Sequence, residues 1–349
     1  MAAVPDIDRS THVRPLDLAK DALPAERALG IHWDVENDSF GFSVDIGRLS
    51  ALPHTRRGVL SAIASIYDPL GVLSPCIMTA KILLQELSRM QVGWDSAIPS
   101  IIQRKWDNWL QHLPLISEFK VRRCLKSTAL DNVKTVELHH FADASEKGYG
   151  TVSYIRFIDI NGRLECTLLG SKTRLAPIKS LSIPRLELSA AALAVKVNHS
   201  IVRALRLPLD QIFFWTDSIA VLKYIRNVSS RFHVFVANRL AVIHDGSKPE
   251  QWKHVRSSDN PADCASRGQV GETFVSNKLW KDGPQFLWEQ ENFDVAAPTD
   301  VYDITEDDPE VKKIKTTVCM MSNDTAVCSH PIRTLMNLAK INARGCVVT

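Results

Sequence analysis

The sequence predicts an α/β protein: a mixed β-sheet with flanking helices, preceded by a mostly helical region. Three observations predict it. Residues 135–171 hold three strand-like runs separated by turn formers. A long stretch of helical periodicity follows over residues 184–205, and then short apolar strands alternate with helices as far as Gly268. Upstream, apolar residues recur at helical spacing between residues 55 and 117.

Taken in order, residues 1–28 are a mixed leader with Pro5, Pro15 and Pro24 scattered through it. Residues 29–46 read as a β-hairpin around the turn formers Glu36, Asn37 and Asp38. Val59, Leu60, Ile63 and Ile66 mark one helix, Asp68-Pro69-Leu70-Gly71 breaks it, and Ile77, Ala80, Leu84 and Leu87 mark the next. Ile102, Trp106, Trp109 and Leu110 share a face of a third helix. Residues 135–142, 149–158 and 164–171 are the three strands, punctuated by Gly148 and by Asn161-Gly162. After the long helix come a strand at 211–215, helices at 218–226 and 233–244, a strand at 250–256 and a short helix from Pro261. This order of elements is that of the ribonuclease H fold. The pattern weakens after Gly268, and the acidic stretch 292–310 reads as a linker whose low apolar content predicts poor packing.

Composition fits a globular chain, with 45% hydrophobic and 23% charged residues. The net charge of +3 is too small to announce a nucleic-acid binder. Seven cysteines, at 76, 124, 166, 264, 319, 328 and 346, form no C-x-x-C pair, which argues for reduced thiols rather than a zinc ribbon. The N-terminal residues show no export signal and no stretch is long and apolar enough to span a membrane. An intracellular protein, cytoplasmic or nuclear and not secreted, is expected.

Four carboxylates carry the chemistry. Asp143 ends the first strand, Glu187 lies in the first turn of the long helix, Asp217 ends the fourth strand, and Asp263 opens the last short helix. Each alone could be a turn former or a helix cap. Together they meet if the first and fourth strands are neighbours, and the carboxyl groups are then expected around one point. Crowded carboxylates repel one another, and a hard divalent cation relieves that. Around Glu187, residues 171–206 hold seven Lys and Arg and no other acid. Lys172, Arg174, Lys179 and Arg185 are therefore candidate nucleic-acid contacts. His254, nine residues before Asp263, is a candidate proton shuttle, although its neighbours read as a strand.

The blocks LGIHWD, TRRGVLSAIASIYDPLGVLSP with KILLQEL, FADAS, SKTRLAP with SIPRLEL, WTDS, NPADCASRG and LWKDGPQFL stand in that order between residues 29 and 287. In them the chain resembles the polyproteins of BEL/Pao long-terminal-repeat retrotransposons. The resemblance implies a leader at 1–28, the terminal hairpin of a reverse transcriptase palm at 29–50, a helical thumb and connection at 51–130, a ribonuclease H-like domain at 135–268, and a linker and tail at 269–349. It implies two Mg²⁺ ions, replaceable by Mn²⁺, and cleavage of the RNA strand of an RNA–DNA hybrid. Asp143 would bridge both ions, Glu187 and Asp217 would complete one shell, and Asp263 would hold the other ion. Other polyprotein domains are the implied protein partners. No aromatic-x-Asp-Asp polymerase box, Asp-Ser/Thr-Gly protease box or integrase His/Cys module is present. The alternative is a non-catalytic nucleic-acid-binding or scaffold remnant. The helical region is expected as a unit distinct from the sheet.

Overall fold

The computed structural model describes residues 26–28, 31–127, 130, 132–227, 229–290, 304 and 307–312. Most of the leader and nearly all of the tail beyond 290, with Cys319, Cys328 and Cys346, lie outside them. The four described cysteines are free thiols.

β1 (Glu26–Ala28), β2 (Ile31–Asp34) and β3 (Ser39–Phe42) are antiparallel, and the β2–β3 pair is the expected hairpin. α1 (Ile46–Ser50) follows, then α2 (Arg56–Ser65), whose first turn is capped by the Thr55 hydroxyl on the Gly58 amide. α3 (Ser74–Arg89) and α4 (Ser100–His112) complete the helical region. At the break between α2 and α3, the Asp68 carboxylate accepts the amides of Val72 and Leu73 at 3.0 and 2.8 Å. Gly71 turns there with φ 72°, and a Cβ on it would lie 2.0 Å from the Ser171 carbonyl oxygen. Only glycine fits both the dihedral and the approach. β4 (Val121–Arg122) pairs with β3, so no described strand between 55 and 130 enters the larger sheet.

That sheet comprises β5 (Val133–Ala144), β6 (Gly148–Asp159), β7 (Leu164–Leu175), β8 (Gln211–Thr216) and β9 (Trp252–His254), in the order β7-β6-β5-β8-β9. β6 is antiparallel to β5 and β7, while β8 runs parallel to β5 and to β9. β9 is shorter than the expected 250–256 because Pro249–Gln251 forms a tight 3₁₀ turn instead.

Strand alternation splits the core between two faces. Ala142 and Phe214 point to one, where they pack with α5 (Ile183–Leu205), α6 (Ile219–Arg226) and α7 (Val234–Gly246). The alanines at 190, 191, 192 and 194 keep α5 thin on the side it lays against the sheet. Phe141 and Trp215 point to the other face, against α8 (Ala262–Arg267) and side chains of α3 and α4. The helical region and the sheet therefore share one core, and the described residues between 26 and 312 belong to one compact unit. This corrects the expectation of a separate helical unit. Its physical reason is α3, where residues 74–78 are all buried, so that apolar surface faces the sheet as well as its own neighbours.

A second correction concerns residues 269–290, expected to begin a linker. They form α9 (Glu272–Val275), α10 (Lys278–Asp282) and a 3₁₀ turn at Gln285–Trp288, and they bury Phe274, Trp280 and Leu287 almost completely. Arg156, 2% exposed, donates to the carbonyls of Leu287 and Glu289 and to Glu137, which holds this segment beneath the sheet. The acidic stretch also departs from its expected looseness where it is described: Glu310 is 6% exposed and Val311 bridges to Phe232.

His140 gives a prediction about acid stability. It is wholly buried between the Ser153 hydroxyl at 2.7 Å and the Asn198 side-chain oxygen at 3.0 Å, and burial pushes its pKa down to about 3. The folded state thus holds a neutral imidazole that the unfolded chain would protonate from about pH 6.5 downward. Stability from this group is complete above pH 6.5 and is lost as pH falls towards 3. The loss should reach roughly 2–5 kcal/mol by pH 4. Urea unfolding of wild type and His140→Gln at pH 7 and pH 4 measures it. The variant should lose less on acidification; an equal loss in both would show that His140 does not control acid stability.

Candidate active site

The parallel pairing of β5 with β8 sets Phe141 opposite Trp215 and Ala142 opposite Thr216. Asp143 and Asp217 therefore follow at the same level, at the carboxyl ends of adjacent strands. Asn260 ties the two ends together, since its amide donates to the Ala142 carbonyl at 3.2 Å and to Asp217 at 3.4 Å.

Asp143 is 5% exposed, and Ser266 of α8 donates its hydroxyl to Oδ2. Burial first, and then the negative charges of Asp217 and Asp263, push its carboxyl up to about 7. Glu187 is half-buried and sits one residue beyond the first turn of α5, not within it as expected. Its pKa is raised by burial and by Asp217, against a lowering hydrogen bond from the Ser218 hydroxyl. Asp217 accepts the Ser257 hydroxyl at 2.6 Å. Asp263, on the first turn of α8, pairs with Arg267 one turn on.

Ordinary structural jobs do not explain these acids, because neighbours perform them. The turn after β5 is held by the Ser145 hydroxyl, which accepts the amides of Lys147 and Gly148. α6 is capped by Ser218, not by Asp217. Pro261, not Asp263, is the N-cap residue of α8.

The acids run as a chain of neighbours: Glu187 feels Asp217, and Asp143 feels Asp217 and Asp263. Among the described residues, no group of three or more His, Cys, Asp or Glu side chains stands arranged to hold a metal ion. Separate hydroxyl bonds from Ser218, Ser257 and Ser266 hold Glu187, Asp217 and Asp143 instead. Sequence reasoning passed over these serines and Asn260, although all but Ser257 lie inside the quoted motifs WTDS and NPADCASRG. The donor chemistry still fits a hard cation: four carboxylates, no thiolate, and a central acid whose pKa burial and its acidic neighbours raise.

His254 ends β9 opposite Thr216, one level before Asp217, and is half-buried. Lys172 and Arg174 are exposed on the edge strand β7. With Lys196 of α5 they border a groove of about 400 Å³ floored by Leu169, Leu193 and Val197. Lys179 is exposed in the turn before α5. Arg185 differs from the other three, because its guanidinium is paired with Glu310 at 2.6 and 3.0 Å. Among the described residues, no helix is long and apolar enough to cross a membrane.

A five-stranded mixed sheet in this order, with acids at the ends of its central parallel pair, defines a ribonuclease H-like domain. Residues 55–218 match the family described as Pao retrotransposon-like RNaseH-like domain. The span takes in the helical region as well as Asp143, Glu187 and Asp217; Asp263 lies beyond it. No curated protein matches the chain. Among solved structures, RNase H1 from Halobacterium salinarum is 12% identical, with 37% of this chain and 90% of that one covered and a TM-score of 0.25. LC11-RNase H1 in complex with an RNA/DNA hybrid is 13% identical over 37% of this chain and 91% of that one, with a TM-score of 0.26. The prototype foamy virus protease-reverse transcriptase is 11% identical over 59% of this chain and 26% of that one, with a TM-score of 0.23.

Proposed function

We propose that this chain is a retrotransposon-derived, metal-dependent endoribonuclease that cuts the RNA strand of an RNA–DNA hybrid inside the cell, without polymerase, protease or integrase activity. The observation that carries this reading is the line of four acids about the ends of β5 and β8, with Asp143 buried among them and pushed up to about 7. Asp143, Glu187 and Asp217 would hold Mg²⁺ or Mn²⁺, with Asp263 at the margin. Two such ions, when bound, supply Lewis acidity and an activated water for phosphodiester hydrolysis. Asp143 is placed to give up its proton to that charge, because burial, and after it the charges of Asp217 and Asp263, hold the proton on. Ser218, Ser257 and Ser266 are neutral donors that can turn aside by rotating one torsion, so opening the site strands no charge. The Lys172, Arg174 and Lys196 groove would carry backbone phosphates.

The test is cleavage of an end-labelled hybrid by the full chain in Mg²⁺, beside single-stranded RNA and duplex RNA of the same sequence. Hybrid-selective cutting is expected; no cutting of any substrate in Mg²⁺ or Mn²⁺ overturns the enzymatic reading. The second reading, a binding or scaffold protein, is favoured by one observation: the serine hydroxyls satisfy three of the acids within the protein itself. Both readings predict that Lys172→Glu with Arg174→Glu weakens hybrid binding by roughly tenfold or more and lowers the salt slope by about one per lost phosphate contact. Unchanged binding would move the nucleic-acid face elsewhere. Because both side chains are exposed, the melting temperature should hold.

A further inference from the structure

Arg185 is the third residue of α5, two before Glu187, in the middle of the basic tract. Its fork is filled by the chain's own Glu310: Nε meets Oε1 at 2.6 Å and Nη2 meets Oε2 at 3.0 Å. The carboxylate end is enclosed, with 8% of the Glu310 side chain exposed, while the Arg185 side chain keeps 34% of its surface in solvent. A planar guanidinium offers the same paired donors to a carboxylate and to a phosphate, so either group can fill this fork.

Glu310 is delivered by a docked segment. The Tyr224 hydroxyl reaches both oxygens of Asp308 at 3.2 and 3.1 Å, and Asp308 accepts the Glu310 amide at 2.8 Å. The backbone then pairs with the α6–α7 connection, through His233 N to Glu310 O at 2.9 Å and Lys312 N to Arg231 O at 2.7 Å. Residues 302–310 carry five acids and no Lys or Arg, a charge pattern suited to a basic surface. Beside Arg185 a second cation, Arg239, lies 3.3 Å over the Phe235 ring, whose other contact is Arg185 at 5.2 Å. Glu310 thus sits on an arginine of the basic tract.

We propose that this segment is a built-in competitor for nucleic acid: Glu310 occupies on Arg185 the place that a backbone phosphate of a bound hybrid would take. The inference rests on the hybrid-binding reading above. The holding contacts are one part-exposed ion pair, one hydroxyl–carboxylate pair, a short backbone pairing and the side chains of Ile304 and Val311 at the margin of the core beside α5, α6 and α7, none of them in the sheet, so the segment can leave without unfolding the domain. While it is docked, the fork at Arg185 is unavailable, and apparent affinity falls by the undocked fraction.

The experiment is a fluorescence anisotropy titration of a labelled RNA–DNA hybrid with the full chain, without divalent metal, for wild type, Glu310→Gln and Tyr224→Phe, each also in an Arg185→Gln background. Tyr224→Phe loosens the segment without touching Arg185 and serves if Glu310→Gln folds poorly. Glu310→Gln is expected to bind the hybrid about five- to tenfold tighter than wild type and Tyr224→Phe about twofold tighter, with both gains lost when Arg185 is Gln. If wild type binds the hybrid and neither variant binds tighter, the competitor is overturned while the hybrid reading stands. A gain that survives Arg185→Gln also overturns it, since net charge alone would then explain the effect. If no protein binds the hybrid, the hybrid reading falls and the competitor falls with it.

Discussion

Asp143→Asn is expected to fold, to bind a hybrid, and to lose Mg²⁺-dependent cleavage by roughly a thousandfold or more, the scale seen when one member of a cooperating catalytic set is removed. The change keeps the shape and still accepts the Ser266 hydroxyl, so the contact that anchors α8 to β5 persists. It removes a charge that both Asp217 and Asp263 oppose. In the absence of metal the variant should be the more stable protein at pH 8. Asp143 has a folded pKa of about 7 against an ordinary value of 3.8, so its stabilising contribution is complete below about 4 and is lost as pH rises through 7. A neutral amide has no such loss. Three measurements together decide the matter: cleavage with and without metal, hybrid binding, and unfolding at pH 5 and pH 8. Equal cleavage by both proteins would reduce Asp143 to a strand-end residue. Wild type more stable than the variant at pH 8 without metal would show that the acids do not repel.

Trp280→Ala should cost about 3–5 kcal/mol, the range for removing a fully buried aromatic. Trp280 is 0% exposed, and its indole donates to the Val72 carbonyl at 2.9 Å, at the start of α3. The carbonyl of Trp280 in turn accepts the Tyr154 hydroxyl at 2.7 Å, on β6. One residue therefore joins the helical region, the sheet and the segment after Gly268. Thermal melting should drop by on the order of 10 °C, as one transition. A drop of less than 2 °C would mean that residues 269–290 are an appendage after all. Two separated transitions would restore the independence of the helical region.

The sheet and its helices were legible because their signals are local. β5 to β7 alternate between turn formers, and α5 carries a broad alanine-rich stripe. The candidate acids were legible for the same reason: each stands at an element's end, and adjacency of the first and fourth strands brings Asp143 and Asp217 level. The segment after Gly268 was not, because α9 and α10 are four and five residues long and show no period. Its worth lies in Trp280 and Leu287, whose sites are made by residues far away in the chain. The shared core hid in α3, where Ser74 to Met78 are buried all round and periodicity has nothing to contrast. The Arg185–Glu310 pair spans 125 positions, and no local pattern marks such a partner.

The level pairing of β5 with β8 also bears on which genetic lesions the candidate site survives. Losing a single codon inside 211–216 would slide Asp217 one place along β5 and turn every side chain of that strand over. Trp215 would exchange faces with Phe214, and the acid would swing away from Asp143. A codon lost or gained in the β6–β7 turn at 160–163, or between α5 and β8 at 206–209, leaves the paired registers of β5 and β8 as they are. Length variation among copies of this domain should therefore collect in those two connections, and a copy shortened within β5 or β8 should have lost its acid pair even with every Asp and Glu codon intact.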